Sequence, residues 1–367
     1  MNKPPPTSAP PASALTAQDL DDLLNGAAVL GAGGGGPRSI GQQIIDRLVA
    51  AGTLPQLIDP ADLPDDALGA VSAFAGAPDA VTGDFDYTPA LTAFTALSAK
   101  AAAPLAFVLP GEVGAGNTFI PMAVAAGLSP ALPVVDCAGA RRAIPALGED
   151  TYAAAGVPIA PMIIASPTQT LGLDVPDAIT ADAVLRGVID GLGDNAGIAM
   201  WTMTGATVRT AAVLGTTRYA LELGRTIRQA PAGGKVAAAV AFLGGTVLGR
   251  GPIKSHGETT SGGFDLGTTV VTCDDGSVLT IYNQNENLIA WSSKSAAPLA
   301  MAPDLICFLT DDGVGFSNAD PQAAPGTVVT VVAQPSVPAM RVPFIVDQFR
   351  AQLAAIGYAG PYVPFGG

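Results

Sequence analysis

Apolar positions in the first fifty residues recur with a helical period. In "TAQDLDDLLNGAAVLG", Leu20, Leu23 and Leu24 share one face, and Thr16 with Asp19 forms a capping box ahead of them. The spacing predicts a helix that runs into a glycine-rich stretch. Beyond Pro37, the residues Ile40, Ile44, Ile45 and Leu48 line one face until Gly52, which predicts a second helix and its stop. The pattern then changes to short apolar runs closed by glycine-bearing loops: "AVSAFAGAP", "PLAFVLPGEVGAGN" and "ALPVVDCAGARR". Such runs suit strands buried on both faces. The Ala- and Leu-rich segments "TPALTAFTALSAK" and "IPMAVAAGL" separate them, so strand and helix alternate, and an α/β layer with a parallel or mixed sheet follows. "AGIAMWTMTG" reads as a further strand between two predicted helices, "TADAVLRGVIDGL" and "RYALELGRTIRQA".

After Pro231 the runs become rich in Thr, Val and Ile, with Asp-Asp-Gly at 274–276 and again at 311–313, which is hairpin-turn chemistry. A mostly antiparallel β domain is therefore expected over 233–337, inserted towards the C-terminus of an α/β domain that spans 16–232. "PFIVDQFRAQLAAIGY" returns to helical spacing, so 338–367 is expected to rejoin the α/β layer. Residues 1–15, dominated by Pro and Ala and lacking an apolar leader segment, are expected to be a disordered tail.

Composition narrows the function classes. The chain has 367 residues, enough for two cores. It is 49% hydrophobic and 13% charged, but its longest uncharged stretch, Val113 to Val135, is broken by glycines and prolines and does not read as a membrane span. A net charge of −14 with no Lys/Arg cluster argues against a nucleic-acid partner. Three scattered cysteines make no disulfide framework, which points to reduced thiols in a cytoplasmic protein. A single histidine, His256, excludes His-rich metal sites and histidine-based triads that do not use that residue. It reads as a turn residue of the β domain, or as a ligand in a site between domains or subunits.

Gly31, Gly33 and Gly36 have dinucleotide-motif spacing, yet what precedes them is helical, and Asp59 lies in a proline-rich loop rather than at a strand end. Two other readings compete. The glycines make a tight helix-to-helix turn, or the amides of Gly33, Gly34, Gly35 and Gly36 form an anion nest at a helix start. The nest is favoured, and no nucleotide cofactor is expected. In parallel α/β sheets ligands sit at the carboxyl ends of strands, and the polar residues fall there. Glu112 and Asn117 follow "LAFVL", Asp136 and Cys137 follow "LPVV", and Thr202 and Thr204 follow "IAM". Paired carboxyls do acid–base work or hold a divalent metal, and their structural alternatives are helix caps and ion pairs with Arg141 or Arg142. Cys137 is a candidate nucleophile, or else a small buried hydrophobe. In "YNQNENLIAW" the density of amides around Asn285 and Glu286 either caps a bulge or faces a polar cavity.

Taken together, "LNGAAVLGAGGGG", "FAGAP", "PGEVGAGNTFIPMAVAAGL", "PVVDCAGARRAIP", "GRTIRQA", "TSGGFDLGT", "IYNQNENLIAW" and "PDLICFL" resemble the S-methyl thiohydantoin desulfurase family over residues 24 to about 309. The resemblance implies an N-terminal α/β domain, a C-terminal β domain and hydrolytic removal of sulfur from a thiohydantoin ring, or related hydantoin and lactam chemistry. The chain departs from the family pattern at Ala138, which replaces the second acid of that pattern, and at Ala115, which replaces the second glycine of the pair after the glutamate.

The leading expectation is a hydrolase of a small cyclic amide or thioamide, working as a homo-oligomer. Glu112 and Asp136 would activate water directly or through a metal, with Cys137 as a further catalytic candidate. Asn117, Arg142, Thr204, Asn285 and Glu286 would bind the ring and an anionic tail, and the Gly33–Gly36 amides would meet developing negative charge. The alternatives are a non-catalytic ligand-binding or partner subunit and, third, a nucleotide-binding oxidoreductase.

Overall fold

The computed structural model describes residues 13–76, 83–193, 195–261 and 264–366. Helix α1 (Ala17–Leu30) starts at the expected box: the Thr16 hydroxyl accepts from the Asp19 amide at 3.1 Å and the Asp19 carboxylate accepts from the Thr16 amide at 3.0 Å. After seven intervening residues α2 (Arg38–Ala51) begins, and Gly52 closes it in the left-handed conformation. The expected disordered tail is ordered over Ser13 to Leu15, where β1 (Ser13–Ala14) pairs with β2 (Gln56–Ile58) at a sheet edge and Leu15 is buried; residues 1–12 lie outside the described residues.

The first sheet takes its remaining strands from β3 (Leu68–Gly76), β4 (Leu105–Leu109), β5 (Val134–Val135), β7 (Met162–Ala165), β8 (Thr170–Leu173) and β9 (Asn195–Thr204). β6 (Cys137–Ala138) lies outside it and pairs with β10 (Val213–Leu214). The spatial order is β1-β2-β5-β4-β3-β9-β7-β8. Strands β2, β5, β4 and β3 run parallel, whereas β9 is antiparallel to β3 and to β7, so the sheet is mixed. Helices α3 (Thr88–Ser98) and α4 (Ile120–Gly127) bury Phe94, Leu97, Met122 and Val124 on one face of it. On the other face, α5 (Thr151–Ala154), α6 (Ala178–Gly191) and α7 (Gly205–Ala211) enclose a second core around Tyr152, Leu185 and Trp201.

Then α8 (Thr216–Gln229) packs on α1, with the Arg228 guanidinium 2.6 Å from the buried Asp22 carboxylate. α9 (Lys235–Leu243) follows within the segment expected to be β, because "KVAAAVAFL" alternates too little to make a half-buried strand. The second sheet is antiparallel throughout: β11 (Thr246–Ser261), β12 (Phe264–Thr272), β13 (Val278–Gln284), β14 (Glu286–Ser292), β15 (Ala300–Met301), β16 (Leu305–Thr310) and β17 (Val328–Gln334), in the order β15-β14-β13-β12-β11-β17-β16. Both Asp-Asp-Gly sequences form turns, with Gly276 and Gly313 at positive φ. Alternation along β16 joins the two halves: Leu305, Cys307 and Leu309 face the core around α1, while Ile306 and Phe308 face the β core. The last helix, α10 (Pro343–Ala355), packs Ile345, Phe349 and Leu353 against Ala140 and against Leu288, Ile289 and Met301.

Candidate functional site

Beyond the carboxyl ends of β3 and β4 lies a cavity of about 870 Å³, counting its open mouth. The loop after β4 supplies Glu112 and Asn117, and the loop between α1 and α2 supplies Gly35 and Gly36. The turn between β13 and β14 supplies Asn285 and Glu286. That turn is tight because Asn285 takes a φ of 56°, which asparagine tolerates, and a register shift at Tyr282/Asn283 bulges the hairpin beside it. The amide-rich stretch therefore makes both a bulge and a wall of the cavity.

Glu112 is buried and held at both oxygens. Asn117 donates to Oε1 and the Ile144 amide to Oε2, each at 2.7 Å. Burial nonetheless pushes its carboxyl up to about 7, against the lowering pull of those two donors and of Arg142 and Arg186. Glu286 accepts from the Gly35 amide at 3.3 Å through Oε1, and its Oε2 is buried without a partner. Burial, and then the Glu112 charge, push it up to about 8. A third carboxyl, Asp150, lines the same cavity, and the sequence pattern does not single it out. Burial raises it well above the usual carboxylate range, and Glu112 raises it further. Its neighbour Gly139 gives it room, since a Cβ there would overlap the Asp150 carboxyl.

The expected constellation is only partly assembled. Asp136 faces the start of α8 instead of the cavity: it accepts from the Thr217 and Arg218 amides at 3.0 Å each and pairs with the Arg218 guanidinium at 3.0 Å. Its role is that of a helix cap with an ion pair. The Cys137 thiol is fully buried at 3.9 Å from the Tyr152 hydroxyl, and burial pushes it far above the usual thiol range, which suits a packed hydrophobe and not a nucleophile. Arg142 is buried too, and donates to the carbonyls of Ala143, Pro303, Asp304 and Asn287 at 2.8–3.3 Å. It staples the two halves together and offers nothing to an anionic tail. Thr204 caps α7 by accepting from the Thr207 amide.

Asn117 lines the cavity, but its amide is spent on the Phe74 backbone and on Glu112, so it positions the acid. Gly33 and Gly34 lie behind the wall. A Cβ at Gly34 would overlap the Glu286 carboxyl, and one at Gly35, where φ is 72°, would meet the Gly114 backbone. Gly34 and Gly35 thus permit close packing, and the Gly35 amide holds the chain's own carboxylate where an outside anion was expected. A dinucleotide motif needs a strand ahead of its glycines, and here that place is taken by α1. His256 sits in β11 with Nδ1 2.8 Å from the Thr269 hydroxyl. Among the described residues no three His, Cys, Asp or Glu side chains group so as to hold a metal ion, and no helix is long and apolar enough to cross a membrane.

One wall carries a backbone irregularity. Val71 pairs with Met200 and Gly69 with Met203, so Trp201 and Thr202 together oppose Ala70. This bulge, with Trp201 at a φ of 50°, turns the neighbours Met200 and Trp201 to the same side, where both line the cavity.

A family model described as the S-Me-THD-like N-terminal domain matches residues 18–173, and one described as the S-Me-THD-like C-terminal domain matches 176–364. The chain belongs to the S-Me-THD-like family. This agrees with the S-methyl thiohydantoin desulfurase motifs in the sequence. The two matched regions meet between β8 and α6, yet the cavity of this S-Me-THD-like chain draws Glu112 from the first and Glu286 from the second. A solved structure, a protein from Chromobacterium violaceum, is similar at a TM-score of 0.84 and 30% identity, covering 96% of this chain and 100% of its own. No curated protein matches.

Proposed function

We propose that the chain is a hydrolase of small cyclic amides or thioamides of the hydantoin and thiohydantoin type, with Glu112 as general base and Glu286 as general acid. One observation carries this reading: two carboxyls from different halves of the chain share a cavity, and burial raises both towards neutrality. A pair of buried carboxyls facing one space gives up one proton before the other, which leaves one acid and one base. Near pH 7 Glu286 keeps its proton while Glu112 is partly ionised. Glu112 takes a proton from water as the oxygen attacks the ring carbon. Glu286 gives its proton to the departing nitrogen or sulfur as that bond breaks, so the two acids exchange protonation states over one turnover. Asn117 and the Ile144 amide fix the base, and Gly35 orients the acid.

The test is turnover of hydantoin and 2-thiohydantoin by the purified protein, followed by ring opening and by sulfide release, with Glu112→Gln and Glu286→Gln alongside. Loss of activity in both variants while each still folds and melts cooperatively supports the reading. Binding without turnover in the wild type would instead favour a non-catalytic ligand-binding subunit.

A further inference from the structure

The cavity's charge inventory restricts what its ring can carry. Among the described residues that line it, the one cation is Arg186, and its guanidinium is already engaged. It donates to the Pro145 carbonyl at 2.7 Å and to Asp182 at 3.0 Å, and it stacks on the Phe264 ring at 3.9 Å. Arg142 is turned into backbone carbonyls elsewhere. The other ionisable groups in the wall are the acids Glu112, Asp150 and Glu286. A carboxylate brought into this space meets no available cation and up to three acids, and burying a charge unpaired is among the costliest contacts a site can make. An ammonium fares little better: both Glu112 oxygens are already taken by the Asn117 and Ile144 donors, and an ammonium that paired with this base would stop the reaction. Apart from Asn117, Asn195 and Asn285, the remaining side chains of the wall are apolar, among them Phe74 and Phe85, edge to face at 5.0 Å, with Ile120, Leu147, Leu185 and Ile198.

Resting on the hydrolase reading, we propose that the substrates are rings whose substituent is uncharged and apolar, of the kind derived from leucine or phenylalanine, and that anionic and cationic rings are rejected.

The experiment compares 5-isobutyl-, 5-benzyl-, 5-(2-carboxyethyl)- and 5-(4-aminobutyl)-hydantoins and their 2-thio analogues, by kcat/KM and by ligand-induced shifts in melting temperature. The isobutyl and benzyl compounds should exceed both charged ones by about 100-fold in kcat/KM, the scale set by an unpaired buried charge. Ala146→Lys, on a half-buried part of the wall, should narrow the gap to the carboxyethyl compound by about tenfold. Equal or better turnover of either charged ring by the wild type overturns the proposal. If nothing is turned over but only the apolar compounds raise the melting temperature, the hydrolase reading fails and the selectivity stands. If none binds, both fall.

Discussion

Replacing Glu112 by glutamine should change how the stability of the fold depends on pH, and the size of the effect follows from the burial of that one carboxyl. Its ordinary value is 4.5 and its folded value about 7. Below pH 4.5 the carboxyl is protonated in both the folded and the unfolded chain, and its full contribution to stability is present. Between 4.5 and about 7 the unfolded chain gives up the proton while the folded chain retains it, so each pH unit weakens the fold by about 1.4 kcal/mol. The loss is complete above the folded value and amounts to about 3 kcal/mol. With an unfolding entropy of about 2.1 cal/mol/K per residue over 367 residues, that corresponds to about 4 °C in melting temperature. The glutamine side chain does not titrate, so the variant lacks this dependence. It also loses a donor–acceptor match with Asn117 or Ile144, which lowers its stability by a constant amount at every pH. The informative quantity is therefore the gap between wild type and variant, measured by calorimetry at pH 4.5 and at pH 8. The gap should move by about 4 °C in favour of the variant across that range. Parallel curves would show that Glu112 titrates as an ordinary carboxyl and would remove the physical basis for its role as a base at neutral pH. In the same preparation, turnover should fall by about 10²- to 10⁴-fold.

Asp136→Asn should cost about 1.5–3 kcal/mol of stability through the lost charged contacts at the start of α8, read as a drop of about 2–4 °C in melting temperature, while kcat/KM stays within a few-fold. Abolished activity in a folded Asp136→Asn protein would return that residue to the site. Gly34→Ala should displace the Glu286 carboxyl and lower kcat by more than about tenfold, because correct placement of the acid is what the glycine secures; an unchanged rate would show that Glu286 is dispensable. Cys137→Ala should retain full activity, and the native thiol should resist iodoacetamide until the protein unfolds; rapid labelling of the native protein would contradict its burial beside Tyr152.

Local pattern revealed much of the scaffold and only part of the site. The α1 capping box, the helical faces of α2 and α6, the short buried strands and both Asp-Asp-Gly turns are encoded over a few residues each, and they stand where the pattern puts them. Glu112, Asn285 and Glu286 were legible because each is a polar residue in an apolar run that ends at a loop, and a loop there meets the carboxyl ends of the strands. Asp136 satisfies the same local description and has a different role. What decides its role is the start of α8, about eighty residues further along the chain, which brings two amides and Arg218 to it. Arg142 is similar: the carbonyls of Asn287, Pro303 and Asp304 that occupy it belong to the other half of the molecule.

Asp150 illustrates the converse. In "LGEDTY" it caps a short helix, accepting from the Tyr152 amide at 2.8 Å. Only the approach of Gly139 and the wall built around Glu112 makes it a cavity carboxyl as well. The bulge at Trp201 has the same origin, since one strand's sequence carries its alternation but not the extra residue created by pairing with β3. Periodicity records which face of an element is buried. It does not record what that face is buried against, and in this chain the difference between a structural acid and a candidate catalytic one lies in that second fact. Asp136, though burial raises its carboxyl, is committed to two helix amides and an arginine, whereas Glu112 and Glu286 line one cavity, where burial raises both and the Glu112 charge raises Glu286 further, the setting that general acid–base chemistry requires.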